Sequence, residues 1–581
     1  MATATAIPVA PAASGGSFLI EETLPANVFT PEDLTPEHLT IARTTRDFFD
    51  KEVAPHVQEI EDGNKDLAVT LLRKAAALGL ESVLTPERFG GMGMDLMSVM
   101  IVAEQLARDG SFAGWHGAHA GIGTLPLLLF GTDAQKEKYL PRLSSCELVG
   151  AYCLTEPQAG SDSLATKTRA DLSEDGTHYV LNGQKMWITN GGKAGLYTVF
   201  AKVGGEKFSA FLVEREFPGV NPGHEEKKMG IRGSSTTAVF FDNVKVPVEN
   251  LLGEIGRGHI IAFNILNLGR LKLGPFAIGG AKSVLQTSLA YAKDRKAFGT
   301  TISKFGMIQH KLAEMAIRIY ATESIMYRTV GLIEGQLQDF TWDDPGASKR
   351  IMKAAEEFAA ECSIIKVYAS EMLDYVTDEG VQIHGGNGFS QEYSVERAYR
   401  DSRINRIFEG TNEINRLLIS GMLLKRAMQG RLGLMKAIKG LTEEILAGPA
   451  GVAGDLVANA KKIGLLLMGL AFEKFGVEME KHQEVLAGIA DVMMETFAME
   501  SAQLRTEKSG LGADLRAVLL QSSMSRIEMF ARPVLAACSE GDALRMNMVV
   551  LRRFAKFEPM DEIAARQRIA ERLLSAGRYV V

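Results

Sequence analysis

Residues Arg400 to Leu418 read RDSRINRIFEGTNEINRLL and predict a helix, a break and a second helix. In the break, Gly410 tolerates dihedral angles that other residues resist, and Thr411 can cap the helix that follows. The carboxylate of Glu409 is therefore held at a helix junction beside the ring of Phe408. This position suits a catalytic base that must be oriented and partly desolvated. The alternative interpretation is an ordinary loop glutamate.

The length and charge of the chain exclude several classes of protein. At 581 residues the chain is too long for one compact domain, and its net charge of −7 offers no electrostatic surface for nucleic acid. Phosphate-binding loops and Gly-x-Ser-x-Gly elbows are absent from the sequence. We predict no metal site, a structural role for the His116 and His119 pair, and reduced, buried thiols at Cys146, Cys153, Cys362 and Cys538.

The first 35 residues are expected to form a disordered or extended lead. Met1 to Phe18 carries no charged side chain, and the first basic residue is Arg43. A mitochondrial presequence needs early arginines, and a secretory signal needs a basic start before an apolar block. We therefore expect a cytoplasmic, bacterial protein, with a processed mature form as the alternative.

Hydrophobic periodicity divides the rest of the chain into four units, predicting a mainly α protein with a central β domain. Residues 36–150 have the three- and four-residue spacing of helices, and residues 151–255 change to a period of two. Asn182-Gly183 predicts a hairpin in this small antiparallel domain, and Gly204-Gly205 predicts another.

Helical spacing returns for the remainder of the chain. Residues 256–424 predict a four-helix bundle, in which residues 259–273 and 281–294 form two separate helices. Residues 425–581 form a C-terminal helical extension that is long enough to bury its own core. Within it, residues 463–472 are uncharged and too short to span a bilayer, so they form either a buried core helix or a peripheral contact with the inner membrane.

Five short strings carry a resemblance to a known family. They are AYCLTEPQAGSD at residues 151–162, KMWITNGG at 185–192, DRKAFG at 294–299, QIHGGNGF at 382–389 and the FEGT break at 408–411. In this order and spacing the chain resembles the acyl-CoA dehydrogenase family over residues 36–424. The tail and the sequence around the break are most similar to the very-long-chain branch, whose members carry an extra helical domain.

The resemblance implies FAD between the β domain and the bundle. Trp187 offers an apolar face to the flavin, and Arg295 offers a planar fork to the pyrophosphate of the neighbouring subunit's FAD. A core role for Trp187 and a salt bridge for Arg295 are the alternatives. The implied cofactor-binding residues are Tyr152, Leu154, Thr155, Ser161, Trp187, Ile188, Thr189, Arg295, Phe298, Gln382, Gly385, Gly386, Thr411 and Glu413.

The resemblance also implies the reaction, in which a long-chain acyl-CoA becomes a trans-2-enoyl-CoA during fatty acid β-oxidation. Glu409 is the implied base, because the alternative family position is occupied here by Gly269. The implied substrate-binding residues are Ser161, Asn267, Arg270, Phe408 and Gly410, with a helix-surface charge as the alternative for Arg270.

Small residues predict the depth of the acyl pocket. Gly114, Gly117 and Ala118 match the region that walls its far end, so long-chain substrates are expected; tight helix packing is the alternative explanation. The resemblance further implies a homodimer and electron-transferring flavoprotein as the electron acceptor. An acyl-CoA oxidase and a non-catalytic scaffold or assembly protein of the same fold are the rival functions.

Overall fold

The computed structural model describes residues 13–448 and 455–581. Seven α-helices build the N-terminal domain, and two π-helical turns, Phe49–Val53 and Gly117–Gly123, interrupt them. The helices are α1 (Pro36–Phe48), α2 (Val57–Glu61), α3 (Lys65–Ala77), α4 (Leu96–Leu106), α5 (Gly110–His116), α6 (Leu125–Phe130) and α7 (Asp133–Ser144).

The lead is not disordered over its described part, which begins at Ala13. Three short 3-10 helices form between Ser17 and Asp33, and Phe18 packs on Phe497 with the ring centroids 4.7 Å apart. The backbone N–H of Gly16 donates to Glu361 Oε1 at 2.7 Å. The side chain of Phe18 and the backbone at Gly16 therefore dock the lead on the helices. The expectation of disorder for residues 1–12 lies outside the described residues.

An eight-stranded sheet forms the middle domain, in the order β6-β7-β3-β2-β4-β5-β8 with β1 also pairing β4. Most pairs are antiparallel, but β1–β4 and β2–β4 are parallel. The strands are β1 (Gly150–Cys153), β2 (Arg169–Leu172), β3 (His178–Thr189), β4 (Leu196–Val203), β5 (Lys207–Glu214), β6 (Val220–Glu225), β7 (Thr236–Pro247) and β8 (Leu251–Leu252).

The predicted hairpin at Asn182-Gly183 is wrong, whereas the one at Gly204-Gly205 joins β4 to β5 as predicted. Strand β3 continues through Asn182 with a register shift against β7 between Leu181 and Gly183. A methyl group at Gly183 would lie 2.5 Å from the Thr168 hydroxyl oxygen. The glycine therefore serves a bulge and a close contact instead of a turn.

Long helices form the bundle, and two short strands, β9 (Lys296–Ala297) and β10 (Thr300–Thr301), close one end of it. The predicted break between residues 273 and 281 is wrong, because α8 runs unbroken through Pro275. A methyl group at Gly279 would lie 2.0 Å from the Glu104 carbonyl oxygen, so this glycine permits close packing on α4. The helices are α8 (Gly258–Asp294), α9 (Gly306–Gly335), α10 (Ala347–Glu357), α11 (Ala359–His384), α12 (Ser394–Ser402) and α13 (Asn412–Met428).

The described part of the C-terminal extension contains six helices, which pack as a group on α9 and α13. Residues 463–472 lie in α15, and none of their side chains is exposed. The structure therefore supports a buried core helix for residues 463–472 better than a contact with the membrane. The helices are α14 (Leu434–Ala447), α15 (Leu456–Phe475), α16 (Gln483–Ser509), α17 (Ala513–Cys538), α18 (Gly541–Phe554) and α19 (Glu562–Ala576). Across residues 13–448 and 455–581, no helix is long and apolar enough to cross a membrane.

Candidate active site

The predicted break between two helices is present at residues 407–411. Glu409 has a φ of 57° and Gly410 a φ of 80°, so two successive residues are left-handed. The Thr411 hydroxyl accepts from the backbone N–H of Ile414 at 3.3 Å and caps α13. The Asn415 side chain donates to the Gly410 carbonyl at 2.9 Å. Because left-handed φ is unfavourable for glutamate, the cap and this amide hold a strained turn that fixes Glu409.

The carboxylate of Glu409 lies against the backbone of α8 at Gly269. A methyl group added at Gly269 would lie 2.8 Å from Oε2 and 3.1 Å from Oε1. One residue further on, Arg270 donates from Nε to the Glu409 carbonyl at 3.2 Å and from Nη1 to Asn267 Oδ1 at 3.0 Å. The side chains of Asn267 and Arg270 are therefore buried beneath the turn, whereas Ser161, another of the predicted substrate-binding residues, is exposed.

Burial dominates the electrostatics of this carboxylate. Although Glu409 as a whole is only half-buried, Oε2 is shielded from solvent and finds no hydrogen-bond partner within the described part of the chain. This burial raises the pKa of Glu409 to about 7, against the opposing charges of Arg270 and Lys366. A carboxylate of this kind exchanges a proton near neutral pH, as a general base requires.

Lys366 is a residue that the sequence predictions missed. Its side chain is fully buried in α11, and Nζ donates to Asn412 Oδ1 at 2.7 Å. Burial lowers the pKa of Lys366 to about 7. A lysine between apolar neighbours, as in Ile364-Ile365-Lys366-Val367, is the signal that sequence analysis could have used, because unpaired lysines are rarely buried.

An elongated cavity of about 190 Å³ begins at Glu409 and Thr189 and runs between α5 and α8. Gly114, Gly117 and Ala118 line it, and their role as the wall of an acyl pocket stays a prediction. A methyl group at Gly117 would lie 2.8 Å from the ring of Phe276, which also lines the cavity. The glycines thus allow close packing and also keep the cavity open. Three polar residues, Asp109, Arg397 and Asp401, line the cavity as well.

The residues predicted to face the flavin lie beside the cavity, where Thr189 lines it together with Glu409. We call the surface formed by Thr155, Trp187 and Thr189 the ledge. Trp187 is 54% exposed with a φ of 58°, while Ile188 is buried and Thr189 lines the cavity. The backbone N–H of Met186 donates to the Thr155 carbonyl at 2.9 Å, which joins this ledge to the end of β1. Leu154 and Tyr152 lie behind it, and the Tyr152 hydroxyl is buried without a partner among the described residues. The exposed indole does not fill the core, so its ledge fits a planar aromatic group.

A second group of predicted cofactor residues lies at the far end of the bundle. All are exposed and gather where α8 meets α11: Arg295, Phe298, Gln382, Gly385 and Gly386. The ring of Tyr291 stacks on His384 at 4.1 Å, which joins the two helix ends. Phe298 is 97% exposed, and the described residues offer Arg295 no salt bridge. None of the five lines the cavity at Glu409, whereas Thr411 and Glu413 flank the Glu409 turn.

The histidine pair and the four cysteines, none of which is predicted to bind a metal, are all buried. All four cysteines are buried and free of disulfides, as predicted. His119 bonds to Leu143 and Gly150 through its two ring nitrogens, whereas His116 contacts Glu81. No three His, Cys, Asp or Glu side chains of the described ranges cluster as metal ligands.

Comparison with known sequences identifies the class. Models of the acyl-CoA dehydrogenase N-terminal and middle domains match residues 35–147 and 151–244, and two models of the C-terminal domain match residues 256–424 and 459–553. The chain belongs to the acyl-CoA dehydrogenase family, and the resemblance predicted from the five strings is confirmed.

Individual relatives extend over nearly the whole chain. A "Probable acyl-CoA dehydrogenase" of Bacillus subtilis is 49% identical over 98% of this chain and 98% of its own length. A crystal structure of an acyl-CoA dehydrogenase complexed with FAD from Bacillus anthracis has a TM-score of 0.96 and 48% identity, covering 98% and 100% of the two chains. The human mitochondrial very long-chain specific acyl-CoA dehydrogenase is 37% identical over 79% of this chain and 73% of its own length.

Proposed function

We propose that the protein binds FAD and oxidises long-chain acyl-CoA to trans-2-enoyl-CoA, with electron-transferring flavoprotein as the electron acceptor. One observation carries the proposal. The shielded carboxylate of Glu409 lines the same cavity as the small residues Gly114, Gly117 and Ala118. A carboxyl group placed there can remove a proton from the α-carbon of a bound thioester.

The residues around the turn have separate roles in this proposal. Glu409 accepts the α-proton, and its raised pKa makes it a strong enough base at neutral pH. Arg270 holds the backbone of the turn, so that the carboxylate keeps its place over Gly269. Bound FAD supplies the acceptor for the hydride that leaves the β-carbon. In this proposal a backbone N–H of the turn donates to the thioester carbonyl as charge develops there.

The predicted cofactor residues divide between two subunits in this proposal. The ledge of Thr155, Trp187 and Thr189 holds the flavin ring of its own subunit, with Ser161, Thr411 and Glu413 at the edges. The exposed group at the end of the bundle, with Arg295 and Gly386, contacts the FAD of the partner in a homodimer. Its exposure in one subunit supports this assignment, and a monomeric mass in solution, measured by light scattering on the FAD-loaded protein, would refute it.

The test of this function is anaerobic addition of hexadecanoyl-CoA to the purified, FAD-loaded protein. We expect the visible flavin absorption to bleach, because two electrons pass from the acyl chain to the flavin. A yellow protein that does not bleach would refute the substrate class. A colourless protein that cannot be reconstituted with FAD would instead favour the scaffold, and rapid hydrogen peroxide production on admitting air would favour the oxidase.

A peripheral membrane contact is less well supported than the other predicted partners. The segment proposed for it, residues 463–472, has no exposed side chain. Co-sedimentation of the whole protein with vesicles of acidic lipid tests any such contact, and absence of binding would exclude it. A cytoplasmic location stays a prediction.

The pH dependence of the reaction follows from the burial of Glu409. Because the base acts only when ionised and its pKa is about 7, we expect kcat to rise with pH through a midpoint near 7. Replacing Lys366 by Met removes a positive charge that lowers the pKa of Glu409, so the midpoint should move to higher pH. A single-turnover pH profile measures both, and a midpoint near the ordinary glutamate value of 4.5 would contradict the assignment.

Chain-length preference tests the role of the cavity wall. In Gly117→Leu, either the new side chain or the displaced Phe276 ring would fill the cavity, since even a methyl group there lies 2.8 Å from that ring. We expect kcat/KM for hexadecanoyl-CoA to fall about tenfold or more relative to hexanoyl-CoA in the same variant. The short substrate is the internal control, and an unchanged ratio would remove Gly117 from the acyl pocket.

A further inference from the structure

A second, small cavity lies behind the wall of the acyl cavity and is lined by unpartnered polar groups. Its volume is about 30 Å³, which is room for one or two groups of the size of water. Lys272, Glu81 and His116 line it. Within the described residues, Lys272 Nζ, Glu81 Oε1 and His116 Nε2 are all buried without a hydrogen-bond partner. Three such atoms facing one space are costly unless something occupies it.

The protonation states of the three groups define what they can bind. His116 Nδ1 lies 2.9 Å from Glu81 Oε2. Burial opposes the charge on Glu81, but His116 and Lys272 hold its pKa below the ordinary value, so it accepts this bond. Burial lowers the pKa of His116, whose Nε2 is then an acceptor, and lowers that of Lys272 to about 8, which leaves a donor at neutral pH.

Lys272 connects this second cavity to the acyl cavity. It lies three residues after Gly269 on α8, a rise of about 4.5 Å along the helix from the residue over which the Glu409 carboxylate lies. Leu125, Leu268 and Lys272 belong to the walls of both cavities. A methyl group at Gly121, which lines the acyl cavity, would lie only 3.8 Å from Lys272 Nζ. A substituent carried a few carbons beyond the reacting carbons of an acyl chain can therefore reach Lys272, which alone of the three polar groups lines both cavities.

The charges exclude most kinds of occupant. A hydrocarbon would leave all three polar atoms unsatisfied, a cation would meet Lys272, and an anion would meet Glu81. Water fits, and so does a hydroxyl group, whose oxygen can accept from Lys272 Nζ while its hydrogen is donated to Glu81 Oε1 or His116 Nε2. The cavity has room for one water beside the hydroxyl group, and that water can satisfy the third atom.

We propose that Lys272, Glu81 and His116 form a polar subsite that binds a hydroxyl group carried a few carbons beyond the reacting carbons of a long acyl chain. The proposal rests on the proposed acyl-CoA dehydrogenation and deepens it by naming hydroxylated long-chain acyl thioesters as a substrate class. Charge-assisted hydrogen bonds to a buried group favour such a chain over the plain one.

A positional series of substrates tests the subsite in the wild-type enzyme. Hexadecanoyl-CoA is compared with its derivatives carrying one hydroxyl at each successive carbon from C4 to the middle of the chain, and kcat/KM is measured for each. We expect one carbon, or two adjacent ones, to exceed plain hexadecanoyl-CoA about tenfold, with the other positions below it. No preference at any position would overturn the proposal and leave the cavity as a site for ordered water only.

Variants of Lys272 assign the preference to this subsite. In Lys272→Met the ratio of the favoured hydroxylated chain to the plain chain should fall to about one, and a ratio that stays high would overturn the assignment. Because both rates come from the same variant, any general loss of activity cancels. If hexadecanoyl-CoA itself is not oxidised by the wild type, the proposed function fails; if it is oxidised without a hydroxyl preference, only the subsite fails.

Discussion

Glu409→Gln is expected to lower the rate of flavin reduction by hexadecanoyl-CoA about 10³- to 10⁴-fold. The amide has nearly the shape of the carboxyl group and leaves the strained turn in place, but it cannot accept the α-proton. Since Oε2 is buried without a partner in the described chain, no neighbouring group replaces the base. Anaerobic stopped-flow absorbance of the FAD-loaded variant measures the effect directly.

The matched control is Glu443→Gln, an exposed glutamate on α14 far from the cavity. It should reduce the flavin at the wild-type rate. Both variants should keep bound FAD and the wild-type Tm, because neither replacement removes a packed group. A Glu409→Gln enzyme that bleaches within tenfold of the wild-type rate would mean that another group removes the proton, and the assignment of Glu409 would fall.

The local signals of the active-site turn were sufficient to predict it. Gly410 and Thr411 stop one helix and start another through their own backbone and side-chain chemistry, so a window of a few residues contains the information. The same holds for the Gly204-Gly205 hairpin. The five strings that carry the family resemblance are also local, and the cofactor roles that they imply for Thr155 and Trp187 stay predictions.

Features that depend on contacts between distant segments could not be predicted in this way. Glycines interrupt the pattern of α8 because α4 packs against it, so a continuous helix resembled two short ones. Lys366 and Glu81 are far from the turn in sequence, and their importance follows only from burial beside charged partners. The docking of Phe18 on α16 likewise needs a surface that forms only after folding.

Gly269→Ala is expected to separate stability from activity. Alanine stabilises a helix interior by about 1 kcal/mol relative to glycine, so α8 by itself gains from the substitution. The added methyl group would nevertheless lie 2.8 Å from Glu409 Oε2, and the carboxylate has to move away from it. A displacement of about 1 Å from the reacting carbon can cost about 10²-fold, so kcat should fall by that order while Tm stays equal or rises.

The direction of the two effects makes this substitution informative. Gly421→Ala, in the interior of α13, is the matched control, because a methyl group there meets no atom within 4 Å. It should bring the same helix stabilisation with wild-type kcat. If Gly269→Ala were as active as Gly421→Ala, the carboxylate would not act from its place over α8. If instead Tm fell together with kcat, the glycine would serve packing, and the argument that it keeps the space for a base would fail.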